Sequence, residues 1–171
     1  MYALHTRREA AHNDSIWCCD WKQVRHVKED ETEEVEDIIV TGGVDDVVKI
    51  WNYKDGELQF KHQLTDHSLG VVSVALSSDG RRVASSSLDS VIIVCDTLTG
   101  AKTATMETGP VDAWSVIFTS DDHHVVSGTH AGAVNLFNVE TGELSIFKGK
   151  LLLCYIQANW SITWTVRASS H

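Results

Sequence analysis

The chain has 171 residues, 24 of them acidic and 14 basic, for a formal net charge of −10. That length holds one sizeable core without disulfides or metals as staples, and 43% apolar with 22% charged residues is ordinary for a globular domain. Phosphate-tracking surfaces need clustered Lys and Arg, so this balance argues against direct nucleic-acid binding, and no run approaches the roughly 20 apolar residues that cross a bilayer.

No apolar run follows Arg7-Arg8, so no secretory signal is visible. The first predicted element is a strand in SIWCCDW (15–21), where Trp17, Cys19 and Trp21 recur at period two. KEDETEEVED (28–37) follows, with seven acids and one lysine; it is expected to be a solvated, mobile loop insertion, a spacer before a docking tail for a basic partner. TGGVDDVVKIWN (41–52) then gives a small-residue cluster, a turn and a β-branched run, the pattern of a hairpin entering a strand.

The same series returns twice. GVVSVAL (70–76) repeats the period-two strand with Val72, Val74 and Leu76, and Ser77-Ser78-Asp79-Gly80 is a turn. SSSLDSVIIVCD (85–96) is the second hairpin, closed by Thr99-Gly100. DAWSVIF (112–118) brings Trp114, Val116 and Phe118, and Thr119-Ser120-Asp121-Asp122 the turn. SGTHAGAVNLFN (127–138) is the third hairpin, closed by Thr141-Gly142. Trp51, Cys95 and Phe137 end the hairpin runs at intervals of 44 and 42 residues. The intervening strand positions Ile16, Val71, Ala113 and Ile117 are also largely apolar, so these strands are expected to be covered on both faces. With no helical pattern of useful length, each unit is a four-stranded meander of about 42 residues, and the fold class is an all-β partial β-propeller.

Residue by residue, the units resemble WD repeats. That family places a His before the first strand of a blade, a Ser or Thr in the second, an Asp in the following turn and a Trp in the third, bonded in a line. The first unit carries all four as His12, Thr41, Asp45 and Trp51. The second has His67, Ser85 and Asp89, with Cys95-Asp96 in place of Trp-Asp. The third keeps Ser127, with Gly109-Pro110 for Gly-His, Ala131 for the Asp and Phe137-Asn138 for Trp-Asp.

The strings HSLGVVSV (67–74), ASSSLD (84–89), GPVDAW (109–114) and the His130 hairpin are similar to the WD-repeat subunits of the superkiller complex, a family that in animals also serves the RNA polymerase II-associated factor complex. The resemblance implies a seven-bladed, non-catalytic adaptor of nucleus and cytoplasm. Its partners would be a helical-repeat scaffold, the RNA helicase that feeds the 3′→5′ exosome, and polymerase-associated factors in transcription elongation and histone modification. Against that family, residues 1–156 read as a partial propeller with blades near 12–64, 67–108 and 109–148, and 149–156 as the start of a fourth. Residues 157–171 read as a divergent tail, a truncated, alternatively spliced or mispredicted end. An open arc of three blades is expected to leave apolar faces that favour self-association.

Trp17 and Trp114, near the starts of their innermost strands, are candidate partner contacts on the top face, with Val44, Leu88 and His130 beside the turn aspartates. The competing reading places both rings in the inter-blade core, where Trp21 is expected. His/Ser/Asp sets that repeat blade by blade are structural rather than catalytic, so no enzyme is expected. No phosphate-cradling glycine string occurs, His123-His124 lacks partners at ligand spacing, and no cofactor or metal is expected. Cys18, Cys19, Cys95 and Cys154, without CxxC spacing, read as reduced, mostly buried thiols of an intracellular protein. Two other roles stand beside the adaptor: a ubiquitin-ligase substrate receptor, whose usual Trp-Asp-x-Arg mark is absent at Trp51-Asn52-Tyr53-Lys54, and a truncated form without a stable role.

Overall fold

The structure, a computed structural model, describes residues 7–27, 33–107, 114–129 and 132–148. Among these, every regular element is a strand, and the strands build three four-stranded antiparallel sheets in chain order. The first sheet holds β1 (Ile16–Val27), β2 (Glu33–Gly43), β3 (Val48–Lys54) and β4 (Glu57–Leu64). The second holds β5 (Val71–Leu76), β6 (Arg82–Ser87), β7 (Val91–Asp96) and β8 (Lys102–Glu107). The third holds β9 (Ser115–Phe118), β10 (His124–Gly128), β11 (Ala133–Asn138) and β12 (Leu144–Lys148). The all-β blade architecture expected from the repeat is therefore present.

Local chemistry explains the repetition. The β2–β3 and β6–β7 hairpins each place one residue in the left-handed region, Asp46 (φ 65°) and Ser90 (φ 66°), as tight hairpins of right-twisted strands require. The turns after β5 and β9 share one hydrogen-bond pattern. The Ser77 hydroxyl donates to Asp79 Oδ1 and the Thr119 hydroxyl to Asp121 Oδ1, both at 2.6 Å, while the Arg81 and His123 amides donate to the same carboxylates.

The sheets pack face to face, with β1, β5 and β9 nearest one another on the inner side. One face of the first sheet sets Val24, Ile38, Val40, Val48 and Ile50 against Val74, Leu76, Val83 and Ile93 of the second. The second sheet's other face sets Ala75, Ala84, Ile92, Val94 and Met106 against Val116, Val125 and Phe137 of the third. Polar bonds cross both seams. Asp20 Oδ2 accepts the Leu76 amide (2.7 Å), Ser73 Oγ accepts the Val116 amide (3.2 Å), and the Asp122 carboxylate accepts the amide and hydroxyl of Ser78.

Three expectations are corrected. Residues 33–37 of the acidic segment are strand, not loop: β1 and β2 run on as a paired hairpin with Arg25 opposite Val35 and Val27 opposite Glu33. Backbone pairing tolerates acidic side chains that face solvent, and Asp37 Oδ1 clasps the partner strand by accepting Trp21 Nε1–H (3.2 Å) and Gln23 Nε2–H (3.1 Å). Trp21 is not core. It lies on the first sheet's outer face, 60% exposed, because the face turned to the second sheet belongs to Cys18 and Val24. Cys19 shares that outer face and is exposed, Cys18 is partly buried and only Cys95 is buried, so the thiols are less hidden than expected. Residues 28–32, 149–156 with the fourth-blade start, and the tail 157–171 with Cys154's neighbourhood lie outside the described residues.

The cross-strand row on the outer face runs Trp21, Ile39, Trp51, Phe60. Trp51 is shielded there by the Arg8 guanidinium, 5.2 Å from its ring centre, and by Phe60 in a T-shaped contact at 5.6 Å.

Gly80 closes the β5–β6 turn at φ +68°, and a Cβ there would stand 2.3 Å from Val24 Cγ2 of the first sheet. Both the left-handed backbone and this close approach demand glycine. Gly80→Ala is expected to cost roughly 2–4 kcal/mol of folding stability, read from the urea midpoint. An unchanged midpoint would mean that the turn does not seat against the first sheet.

Candidate functional site

The loops joining the sheets are held by a line of polar groups. In the first sheet His12 Nδ1 lies 2.8 Å from Asp45 Oδ1, its Nε2 lies 2.8 Å from Thr41 Oγ1, and Trp51 Nε1–H donates to Thr41 Oγ1 at 3.0 Å. A carboxylate only accepts, so a neutral His12 ring donates from Nδ1 and accepts the Thr41 hydroxyl proton at Nε2. Each bond polarises the next, from the indole on β3 to the aspartate in the turn. Asp45 also accepts the Asn13 amide at 2.8 Å. Burial works to raise the Asp45 carboxyl, yet the His12 and Asn13 hydrogen bonds outweigh it and hold it below the usual carboxylate range. The backbone leaves no room for variation: a Cβ on Gly43 would meet Asp45 Oδ1 at 2.5 Å and His12 Nδ1 at 2.7 Å.

The second sheet repeats the line without the indole. His67 Nδ1 lies 3.0 Å from Asp89 Oδ2 and its Nε2 2.9 Å from Ser85 Oγ, while Cys95 stands buried where Trp51 stands in the first. Burial raises the Asp89 carboxyl, but the Ser68 amide and His67 outweigh it and depress it. In the third sheet Ser127 Oγ is fully buried with no hydrogen-bond partner. Gly109, Pro110 and Ala131 of this third set lie outside the described residues.

These lines fix the edge from which the candidate partner residues project. Trp17 occupies a β-bulge, since the β1–β2 register shifts between Ile16 and Cys18. The extra residue is unpaired, which re-aims the side chain out of the sheet's alternation. Its ring lies over Gly70 beside Val44: a Cβ at Gly70 would be 3.4 Å from Trp17 Cζ3 and 3.5 Å from Val44 Cα. β5 bulges at the equivalent place, around Val72. Trp114 sits just before β9, its amide donating to the Gly128 carbonyl, and Leu88 donates its amide to the Gly70 carbonyl. Trp17, Leu88 and Trp114 are 44–53% exposed, and Val44 is half-buried among them. His130 falls outside the described residues.

The sequence reading missed Leu69, which is half exposed on the same edge. Its carbonyl accepts the Ser87 hydroxyl at 2.5 Å, so its loop is fastened to β6. Its position two residues after the His67 anchor, outside any strand pattern, was the available signal.

Other chemistry is sparse. Burial pushes the Cys18 thiol up to about 12 and the Cys95 thiol likewise, which removes both as nucleophiles at neutral pH. Among the described residues no three His, Cys, Asp or Glu side chains converge as metal ligands.

The family description "WD domain, G-beta repeat" matches residues 4–52 and 58–96. The chain is 36% identical over 84% of its length to the WD repeat-containing protein SL1-17 of Schistosoma mansoni, and covers 45% of that protein. It is 33% identical over 80% of its length to the WD repeat-containing protein VIP3 of Arabidopsis thaliana, covering 40% of it. It is 28% identical over 74% of its length to superkiller complex protein 8 of Dictyostelium discoideum, covering 38% of it. The chain thus spans less than half the length of each of these relatives.

A carboxyl depressed on folding adds stability above its unfolded pKa near 3.9, and that stability is lost as pH falls through the folded value. Asp45→Asn is therefore expected to lower stability by about 1–2 kcal/mol at pH 7. The gap to wild type should narrow as pH drops below about 4. Denaturant melts across that range check it; a gap that stays constant with pH would show that charge on Asp45 does not contribute.

Proposed function

This chain belongs to the WD40 family, and we propose that it is a protein-binding adaptor that receives its partners on the tryptophan-bearing edge. WD-repeat proteins generally act as protein-interaction scaffolds and are typically non-catalytic. The single observation that carries the reading is the cluster of Trp17, Leu69, Leu88 and Trp114, four large apolar side chains about half exposed on one edge of three successive sheets. Scattered apolar residues are common on any surface, but large rigid ones gathered on loops braced from beneath have the make-up of binding hot spots.

In the finer reading, the chain serves the superkiller complex, bridging its helical-repeat scaffold to the RNA helicase that feeds the exosome in the cytoplasm. In the nucleus it joins polymerase-associated factors in transcription elongation and histone modification. The strings 67–74, 84–89 and 109–114 support this, as does the likeness to superkiller complex protein 8 of Dictyostelium discoideum.

Trp114→Glu and Trp17→Glu are each expected to weaken capture of the purified helical-repeat subunit at least about tenfold in titration calorimetry, with the thermal melt unchanged. Wild-type affinity in both variants would show that the partner docks elsewhere.

A further inference from the structure

We propose that this edge takes a segment of another protein in which large apolar side chains are flanked by lysine or arginine. The proposal rests on the edge being the partner surface and adds the chemistry of what binds there.

The loops that form the edge are 12–17, 43–47, 65–71 and 87–91, with residues 114, 115, 128, 129 and 132 in the third sheet. They contain no lysine and no arginine, whereas Asp14, Asp45, Asp46, Asp66 and Asp89 all lie in them. Three of these acids are occupied: Asp45 by His12, Asp89 by His67, and Asp66 by Lys102 at 2.9 Å. Asp14 and Asp46 face no Lys or Arg in an ion pair among the described residues. Asp14 is exposed, three residues before Trp17, and only its Oδ1 is used, accepting the Ser15 amide. Asp46 is held in the left-handed position of the β2–β3 turn, two residues from Val44. The arginines of the second sheet, Arg81 and Arg82, stand at the opposite ends of the strands, where β6 begins.

Apolar anchors and unpaired carboxylates are thus interleaved on one edge. An apolar segment bearing acids would bring like charges together as it excluded water, whereas one bearing Lys or Arg gains attraction and faster encounter. The His–Asp bonds set the loops in place beforehand, so a partner spends little energy ordering them.

The test is a selection of random short peptides on the full chain, followed by titration of synthetic versions of the selected sequences. Expected are peptides combining Trp, Phe or Leu with Lys or Arg, whose affinity falls about two- to five-fold in Asp14→Asn and again in Asp46→Asn, and falls with added salt. Asparagine keeps the hydrogen bonding and tolerates the left-handed turn, so these variants stay informative even where a Trp→Glu variant unfolds. Peptides lost in Trp17→Glu or Trp114→Glu but flanked by acidic or uncharged residues would overturn the charge assignment and leave the docking edge standing. Basic peptides indifferent to both Asn variants would also overturn it. Peptides that bind the Trp→Glu variants as tightly as wild type, or no peptides at all, would overturn the docking edge itself.

Discussion

Face-to-face packing of sheets that are apolar on both sides is the constraint on which the rest of the molecule depends. The second sheet has no solvent face: Val74, Leu76, Val83 and Ile93 look one way, and Ala75, Ala84, Ile92 and Val94 the other. Each buried Val, Ile or Leu contributes roughly 1.5–3 kcal/mol, while a neutral hydrogen bond nets about 1. The apolar seams therefore dominate, and the polar lines from His to Asp refine them. That ranking explains how the third sheet forms with Ser127 alone of its set and with its hydroxyl unpaired.

The polar lines have a different role, which is to tie loops to sheets. His12 reaches from the loop before β1 to Thr41 on β2 and Asp45 in the turn, and Trp51 braces Thr41 from β3. His67 does the same with one member fewer. Loops otherwise lack the buried contacts that hold strands, so such bracing converts them into fixed carriers of side chains. Trp17 and Leu88 project from loops and bulges that these bonds anchor, and this preorganisation suits an edge used for binding.

The acidic hairpin illustrates how tertiary context overrides composition. Seven acids in ten residues ordinarily signal a solvated loop. Here the strands on either side continue past the end of β3 because Val24 packs beside Gly80 and Asp37 bonds across to Trp21 and Gln23. The charges then sit on a paired ribbon rather than on a spacer.

The sequence by itself determined the blade: the 44- and 42-residue intervals, the period-two strands and the small-residue hairpins carry the three sheets, their order and the His–Ser/Thr–Asp sets. Those features are local or regularly repeated, and alternation reports directly which residues share a face. Which face meets a neighbour was decided only by the tertiary structure. Trp21 and Cys19 read as core because apolar alternation cannot tell a covered face from an uncovered one, and the bulge at Trp17 breaks the alternation on which that reading relied. Leu69 and the cation-free edge also became visible only when loops from separate repeats came together, since their proximity is a property of how the sheets stack and of nothing in any one segment.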